Sequence, residues 1–234
     1  MQADKAVAQA AQSEKRTIPM IGMRAAIARN MSAGWLAPRV AHDRWVDMSR
    51  VNELIAQQAG AAGKASINAC VLRAVALALR DHPRLNALMR EKEIELVSNI
   101  NLGVAVSLDD GLMVPVIRNA DQRSVLELAN ETRQLAEGAR NGSLSAGTYQ
   151  RGTFTVTNLG AAGVDRFSPV INPPQVAILG IGRCIERPVV RDGQIVAAPV
   201  ANLTLVFDHR AVDGHPAALF LAEVARRLES ADLA

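Results

Sequence analysis

The chain has 234 residues, 49% of them hydrophobic, 21% charged and 3% aromatic, with a formal net charge of +3. That is long enough for one sizeable core or two small ones, and too apolar for a disordered tail. The charge is a weak field for a polybasic nucleic-acid binder, and four Phe, two Trp and one Tyr are too few for a base-stacking platform. Cys70 and Cys184 form no C-x-x-C pair and no zinc spacing, so no metal site is expected, and Cys70 in its apolar run reads as a small buried hydrophobe. No apolar run approaches membrane-spanning length. Residues 1–16 lack the apolar stretch of a secretory signal, which makes the cytoplasm the expected compartment.

Residues 1–16 are rich in Ala and Gln and read as a mobile arm or linker remnant, with the packed domain expected over 17–234. A first helix is expected near 21–36, with Met23, Ala26, Ile27, Asn30 and Met31 on one face and Pro38 ending it. Residues 40–46 read as extended. Residues 48–58 read as a helix with Val51, Leu54 and Ile55 inward, stopped by Gly60 and Gly63. Ser66 opens a helix that is apolar around most of its girth, through Ile67, Cys70, Val71, Ala74, Val75, Ala78 and Leu79, to the Asp81-His82-Pro83 segment.

The period then changes. Residues 104–108 and 112–117 read as two strands around Asp109-Asp110-Gly111. A helix follows with Val125, Leu128, Leu135 and Ala139 on one face, and the pattern does not fix Ser124 as its cap. Strands are expected at 153–157, at 175–181, at 188–190 paired across Asp192-Gly193 with 194–196, and at 201–207. A closing helix over 216–228 turns Leu221, Val224, Ala225 and Leu228 inward. This order predicts one α/β sandwich-like domain rather than a regular βαβ array. Gly180-x-Gly182 lacks the third glycine of a dinucleotide fingerprint.

Chemistry concentrates in Phe207-Asp208-His209-Arg210-Ala211-Val212-Asp213-Gly214, where an apolar strand runs into a cluster of ionisable side chains. Histidine alone titrates near neutrality when unperturbed, which makes His209 the best general base in the chain, unless it is a structural histidine at a strand end. Asp213 can hold a neighbouring basic group, and Asp208 with Arg210 can be a purely structural ion pair. No G-x-S-x-G elbow is present, so a nucleophile would arrive with the substrate. In Gly152-Thr153-Phe154-Thr155-Val156-Thr157-Asn158-Leu159-Gly160, Thr157 ends an alternating strand. Its hydroxyl either serves the strand end or donates to an oxyanion.

These segments, with Ile171-Asn172-Pro173-Pro174-Gln175-Val176-Ala177-Ile178-Leu179-Gly180, Gly111-Leu112-Met113-Val114-Pro115-Val116-Ile117-Arg118 and Ile18-Pro19-Met20, resemble the catalytic domain of the dihydrolipoamide acyltransferases, the core component of 2-oxoacid dehydrogenase complexes. The resemblance runs collinearly from about residue 17 to 233. It implies an α/β, chloramphenicol-acetyltransferase-like fold, a mixed sheet with flanking helices, assembled as a homotrimer with active sites between subunits. It implies coenzyme A and dihydrolipoamide as substrates, the lipoyl group coming from a separate chain or an upstream domain, and dehydrogenase-complex components as partners. By position, His209 is then the general base, Thr157 the hydroxyl that stabilises the tetrahedral intermediate, and Asp213 an organising carboxylate whose expected partner is Arg24.

Three features depart from the family pattern. The lipoyl and subunit-binding domains that typical members carry upstream have no counterpart within these 234 residues, so the lipoyl group is expected from an upstream domain or a separate chain. Pro38-Arg39-Val40-Ala41-His42 stands where many members have Pro-His-x-Thr, so Arg39 is a candidate channel or specificity residue for an acidic acyl group or a coenzyme A phosphate, or else a solvated surface cation. The tail retains only Leu233 where many members carry several leucines that dock trimers into cages, so an isolated trimer is expected. The competing readings are a same-fold acyltransferase acting on a small alcohol, amine or thiol, and a non-catalytic structural or partner-binding core.

Overall fold

Alternating strands from both halves of the chain build a seven-stranded mixed sheet in the computed structural model, which describes residues 17–58, 64–108 and 111–234. The arm expected over 1–16, the helix stop at Gly60 and Gly63 and the turn at Asp109-Asp110 lie outside the described residues. The elements in order are α1 (Gly22–Trp35), β1 (Arg39–Asp47), α2 (Ser49–Gln57), α3 (Ile67–Asp81), a hairpin of β2 (Ala87–Met89) and β3 (Ile94–Leu96), and four short strands, β4 (Leu102–Val104), β5 (Val106–Leu108), β6 (Gly111–Met113) and β7 (Val116–Ile117). Then come α4 (Val125–Asn141), β8 (Phe154–Asn158), β9 (Ala177–Ile181), β10 (Ile185–Arg191), β11 (Gln194–Asp208) and α5 (Gly214–Ser230). The sheet order is β1-β11-β9-β8-β4-β7, with β10 also paired to β11.

Local chemistry sets the helix starts. The Ser66 hydroxyl accepts from the Ala69 amide at 3.2 Å and caps α3. At α4, the Glu127 amide donates to the Ser124 hydroxyl at 3.3 Å while the Glu127 carboxylate accepts the Ser124 amide at 2.7 Å, a reciprocal capping box. Gly142, in the left-handed region at φ 70°, ends α4.

The sheet has two unlike faces, set by the period-two alternation of its strands. Phe154, Val156, Leu179, Ile181, Leu203, Leu205 and Phe207 share one core with Val71, Leu72 and Val75 of α3 and with Phe220, Leu221 and Val224 of α5. Ile178 and Val206 point the other way, with Ile171 and Ala37, into a small second core. Two glycines let a loop close over that second face. A Cβ on Gly180 would lie 3.1 Å from the Phe167 ring, and one on Gly182 only 2.0 Å from the Asp165 carbonyl oxygen.

The structure corrects two strand expectations and adds a hairpin. The stretches 104–108 and 112–117 are four strands, not two. β4 joins the main sheet beside β8 and β7, while β5 and β6 pair only with each other. The break falls at Ala105 and at Val114-Pro115, where Pro115 has no amide to give a ladder. Conversely, 194–196 and 201–207 are one strand, β11. Pro199 is tolerated inside it because the ladder with β1 begins only at Val200, and on that edge Pro199 gives its carbonyl alone, to the Met48 amide at 2.8 Å. The hairpin β2–β3 carries too few residues to show a period. Leu233 is 6% exposed within the main core, and the buried Arg73 donates to its carbonyl at 3.0 Å.

Candidate active site

His209 follows directly from the end of β11. The Asp208 amide donates to Val176 at 2.8 Å, the His209 amide to Pro38 at 2.9 Å, and the Ala211 and Val212 amides to Asp208 at 3.0 and 3.1 Å. Asp208 is 2% exposed, and its carboxylate accepts from Arg210 Nη2 at 2.6 Å and from the Arg210 amide at 3.0 Å. That hydrogen bond to Asp208 holds the Arg210 guanidinium still further above its already high pKa. Asp208 and Arg210 are thus the structural pair, and they pin a turn from which the imidazole projects.

The imidazole itself is 46% exposed, and its Nδ1 lies 3.9 Å from the Asp213 carboxylate, one helical step away at the start of α5. Phe207 backs it, with ring centroids 6.0 Å apart. Asp213 occupies the cap position of α5 without spending its carboxylate on a cap hydrogen bond. Within one chain the ion pairs of the described residues join Asp213 to His209, while Arg24 lies on the exposed side of α1.

Arg39 is in register with Asp208 and follows the residue whose carbonyl holds the His209 amide. Its guanidinium stacks 3.2 Å from the Trp35 ring centroid and donates to the Trp35 carbonyl at 3.0 Å. It is therefore a cation fixed by an aromatic face at the same end of the sheet as His209.

Thr157 is elsewhere. It is half-buried near the end of β8, in register with Gly180 of β9, which is in turn in register with Thr204 of β11. Because β8 and β9 run parallel and β11 antiparallel, His209 lies five residues past Thr204 toward the opposite end of the sheet and two strands across. Standard strand rise and spacing put the two residues roughly 20 Å apart in one chain.

The Thr157 end carries cations that the sequence reading passed over. Arg183 leaves the end of β9 paired with Asp165, whose carboxyl it holds below the usual range by hydrogen bonding, and Arg166 lies 3.5 Å from Asp43. Their only sequence signal was an Arg directly after Gly182 at a strand end. The thiol of Cys70 is fully buried and its pKa is pushed up to about 12 by that burial, so it is no nucleophile. Among the described residues no three His, Cys, Asp or Glu side chains cluster to hold a metal ion, and no helix is long and apolar enough to cross a membrane.

The fold is of the chloramphenicol-acetyltransferase-like class. A chloramphenicol acetyltransferase superposes with a TM-score of 0.53 at 16% identity, covering 86% of this chain and 94% of that one, a likeness of fold. Residues 12–234 match the family described as 2-oxoacid dehydrogenases acyltransferase (catalytic domain), and the chain belongs to it. It is 38% identical over 224 residues to the dihydrolipoyllysine-residue acetyltransferase component of the acetoin cleaving system of Bacillus subtilis, covering 93% of this chain and 56% of that protein. The chain thus spans about half the length of the curated relatives it matches. A structure of the dihydrolipoamide acetyltransferase of Azotobacter vinelandii superposes with a TM-score of 0.89 at 33% identity, covering 95% of this chain and 94% of that one. That structure addressed the role of a serine, a histidine and an asparagine in the catalytic mechanism.

Proposed function

We propose that this chain moves an acyl group between coenzyme A and the thiol of a dihydrolipoyl group, with His209 as general base and Thr157 of a second copy completing the site. The observation that carries the reading is the His209 imidazole, half-exposed on a turn pinned by Asp208, Arg210 and the Pro38 carbonyl. An exposed base on a rigid mount suits proton transfer to and from a substrate.

A thiol ionises near about 8.5, within reach of a neutral imidazole. His209 takes the thiol proton, and the thiolate attacks the thioester carbonyl carbon. The new C–S bond places negative charge on the carbonyl oxygen, where the Thr157 hydroxyl donates. Collapse breaks the original C–S bond, and the departing thiolate recovers the proton from the imidazolium. Asp213 steadies the imidazole, and Arg24 is the cation proposed to hold Asp213 in the assembled site. Arg183 and Arg166 lie at the Thr157 end, where they would meet the phosphates of coenzyme A. Arg39 faces the acyl side, where a fixed cation favours an acidic acyl group.

The roughly 20 Å between Thr157 and His209 in one chain supports a site shared between copies of a cyclic homotrimer. Leu233, tucked into its own core, supports a trimer that stands alone, and a native mass near three times 25.0 kDa checks this. The reading places the enzyme in the cytoplasm, with the lipoyl group on another domain or chain of a dehydrogenase complex. The test is thioester formation from acetyl-, succinyl- and isobutyryl-coenzyme A with free dihydrolipoamide, wild type beside His209→Ala. Turnover lost by about 10²–10⁴-fold in the variant supports the reading. Turnover absent from the folded wild type with every donor overturns it in favour of a structural core or a different acceptor.

A further inference from the structure

At the start of β8, four residues and about 13 Å along the strand from Thr157, a half-open cavity of about 610 Å³ lies at the surface. Three arginines from three separate segments line it: Arg90 from the β2–β3 turn, Arg118 after β7 and Arg151 before β8. Glu95 is the one carboxylate in the lining, and it is occupied by Arg90 at 2.6 Å. Arg118 gives one N–H to the Gly147 carbonyl at 3.1 Å, and the Arg151 guanidinium makes no hydrogen bond or ion pair with any described residue. Two positive charges therefore face the cavity uncompensated by its lining.

The mounting of these arginines is specific. Arg151 and its neighbour across the cavity, Asn119, both hold left-handed backbone, at φ 64° and 49°. A single buried amide secures both: Asn101, 8% exposed, donates to the Arg151 carbonyl at 2.9 Å and accepts the Asn119 amide at 3.1 Å. The left-handed region suits Asn at 119 and disfavours Arg at 151. Conformation alone would put Gly or Asn at both positions. An arginine in that backbone is unexplained by the turn and explained by what its side chain can reach. Leu88, Val97 and Pro174 are the apolar members of the lining.

We propose that this cavity binds a phosphate-bearing small molecule, its phosphate on Arg118 and Arg151 and its organic part against Leu88, Val97 and Pro174. Two guanidinium forks match a dianion and hold phosphate oxygens bidentately, whereas a single carboxylate would leave one cation unmatched. Thr153 of its lining lies level with Val176 and Asp208, so the cavity is on the His209 side of the sheet, and phosphate binding there does not depend on the acyl-transfer reading.

The experiment is isothermal titration calorimetry on the full chain with adenosine 5′-monophosphate and with inorganic phosphate, in the absence of coenzyme A, which is itself a phosphate ester. The variants are Arg151→Asn, which keeps a residue at ease in left-handed backbone, and Arg118→Gln. The expected result is nucleotide binding that is tighter than phosphate binding and weakens at least about tenfold in each folded variant. Nucleotide no tighter than phosphate, binding unchanged in both variants, or no binding at all would each overturn the proposal.

Discussion

The two ends of the central sheet hold their candidate groups in opposite ways. At the His209 end the backbone is fixed by a buried carboxylate and four main-chain hydrogen bonds, and the side chain is left in the open. At the Thr157 end the hydroxyl is half-buried within the strand, and the surrounding charges, Arg183 and Arg166, sit on exposed loops against Asp165 and Asp43. A base must exchange protons with a mobile substrate and so needs access. An oxyanion donor must already point where charge will develop and so needs immobility. Each end supplies one of these properties and lacks the other, which is the division expected when a second copy brings the missing half.

The sharpest way to break that comparison is to separate the halves genetically. Thr157→Ala alone should lower kcat by about 10²–10³-fold, and His209→Ala by at least as much. Co-expressed in equal amounts, the two inactive variants should recover roughly a quarter of wild-type activity, the fraction of ring interfaces that pair an intact histidine with an intact threonine. Recovery no greater than the average of the two variants would place both groups in a site within one chain.

A second, smaller effect tests the rigidity of the His209 mount. Arg210→Met strips the partner from a carboxylate that is 2% exposed, and should cost about 2 kcal/mol of stability by denaturant unfolding. It should also lower kcat while leaving KM nearly unchanged, because the turn that aims His209 loosens. Stability lost with kcat intact would show that the Asp208–Arg210 pair serves the fold alone.

Much of this contrast was legible in the sequence, and its geometry was not. The cluster 207–214 stands out because ionisable side chains follow an apolar strand, and Thr157 because it ends an alternating one. Local pattern left open whether Asp208 or His209 was the structural member, since the turn is held by the carbonyls of Val176 and Pro38, both remote in sequence. Nor could it show that the two candidates lie at opposite ends, which follows from strand order and direction. The continuity of β11 through Pro199 was hidden for the same reason, because tolerance of a proline depends on whether both strand edges are paired. Arg151 gave no signal at all, since its left-handed backbone is set by Asn101, fifty residues earlier in the chain.

The smallest expected effect lies away from both ends, at the capping box of α4. Ser124→Ala should lower Tm by about 2–4 °C at neutral pH and leave acyl transfer unchanged, since α4 packs on the helical face of the sheet. The backbone hydrogen bond from Ser124, followed by its hydroxyl, holds the Glu127 carboxyl below its usual range. A carboxyl whose folded-state pKa is depressed contributes stability above its unfolded-state pKa, and that contribution is lost as pH falls through the folded value. The Tm difference between wild type and Ser124→Ala should therefore be constant at neutral pH and narrow below about pH 4, as Glu127 protonates in both proteins. A difference that stays constant to pH 3 would assign the cap to the serine hydroxyl alone. A loss of turnover in Ser124→Ala would show that α4 transmits to the sheet ends, and the two ends could then no longer be treated as independent of the helical face.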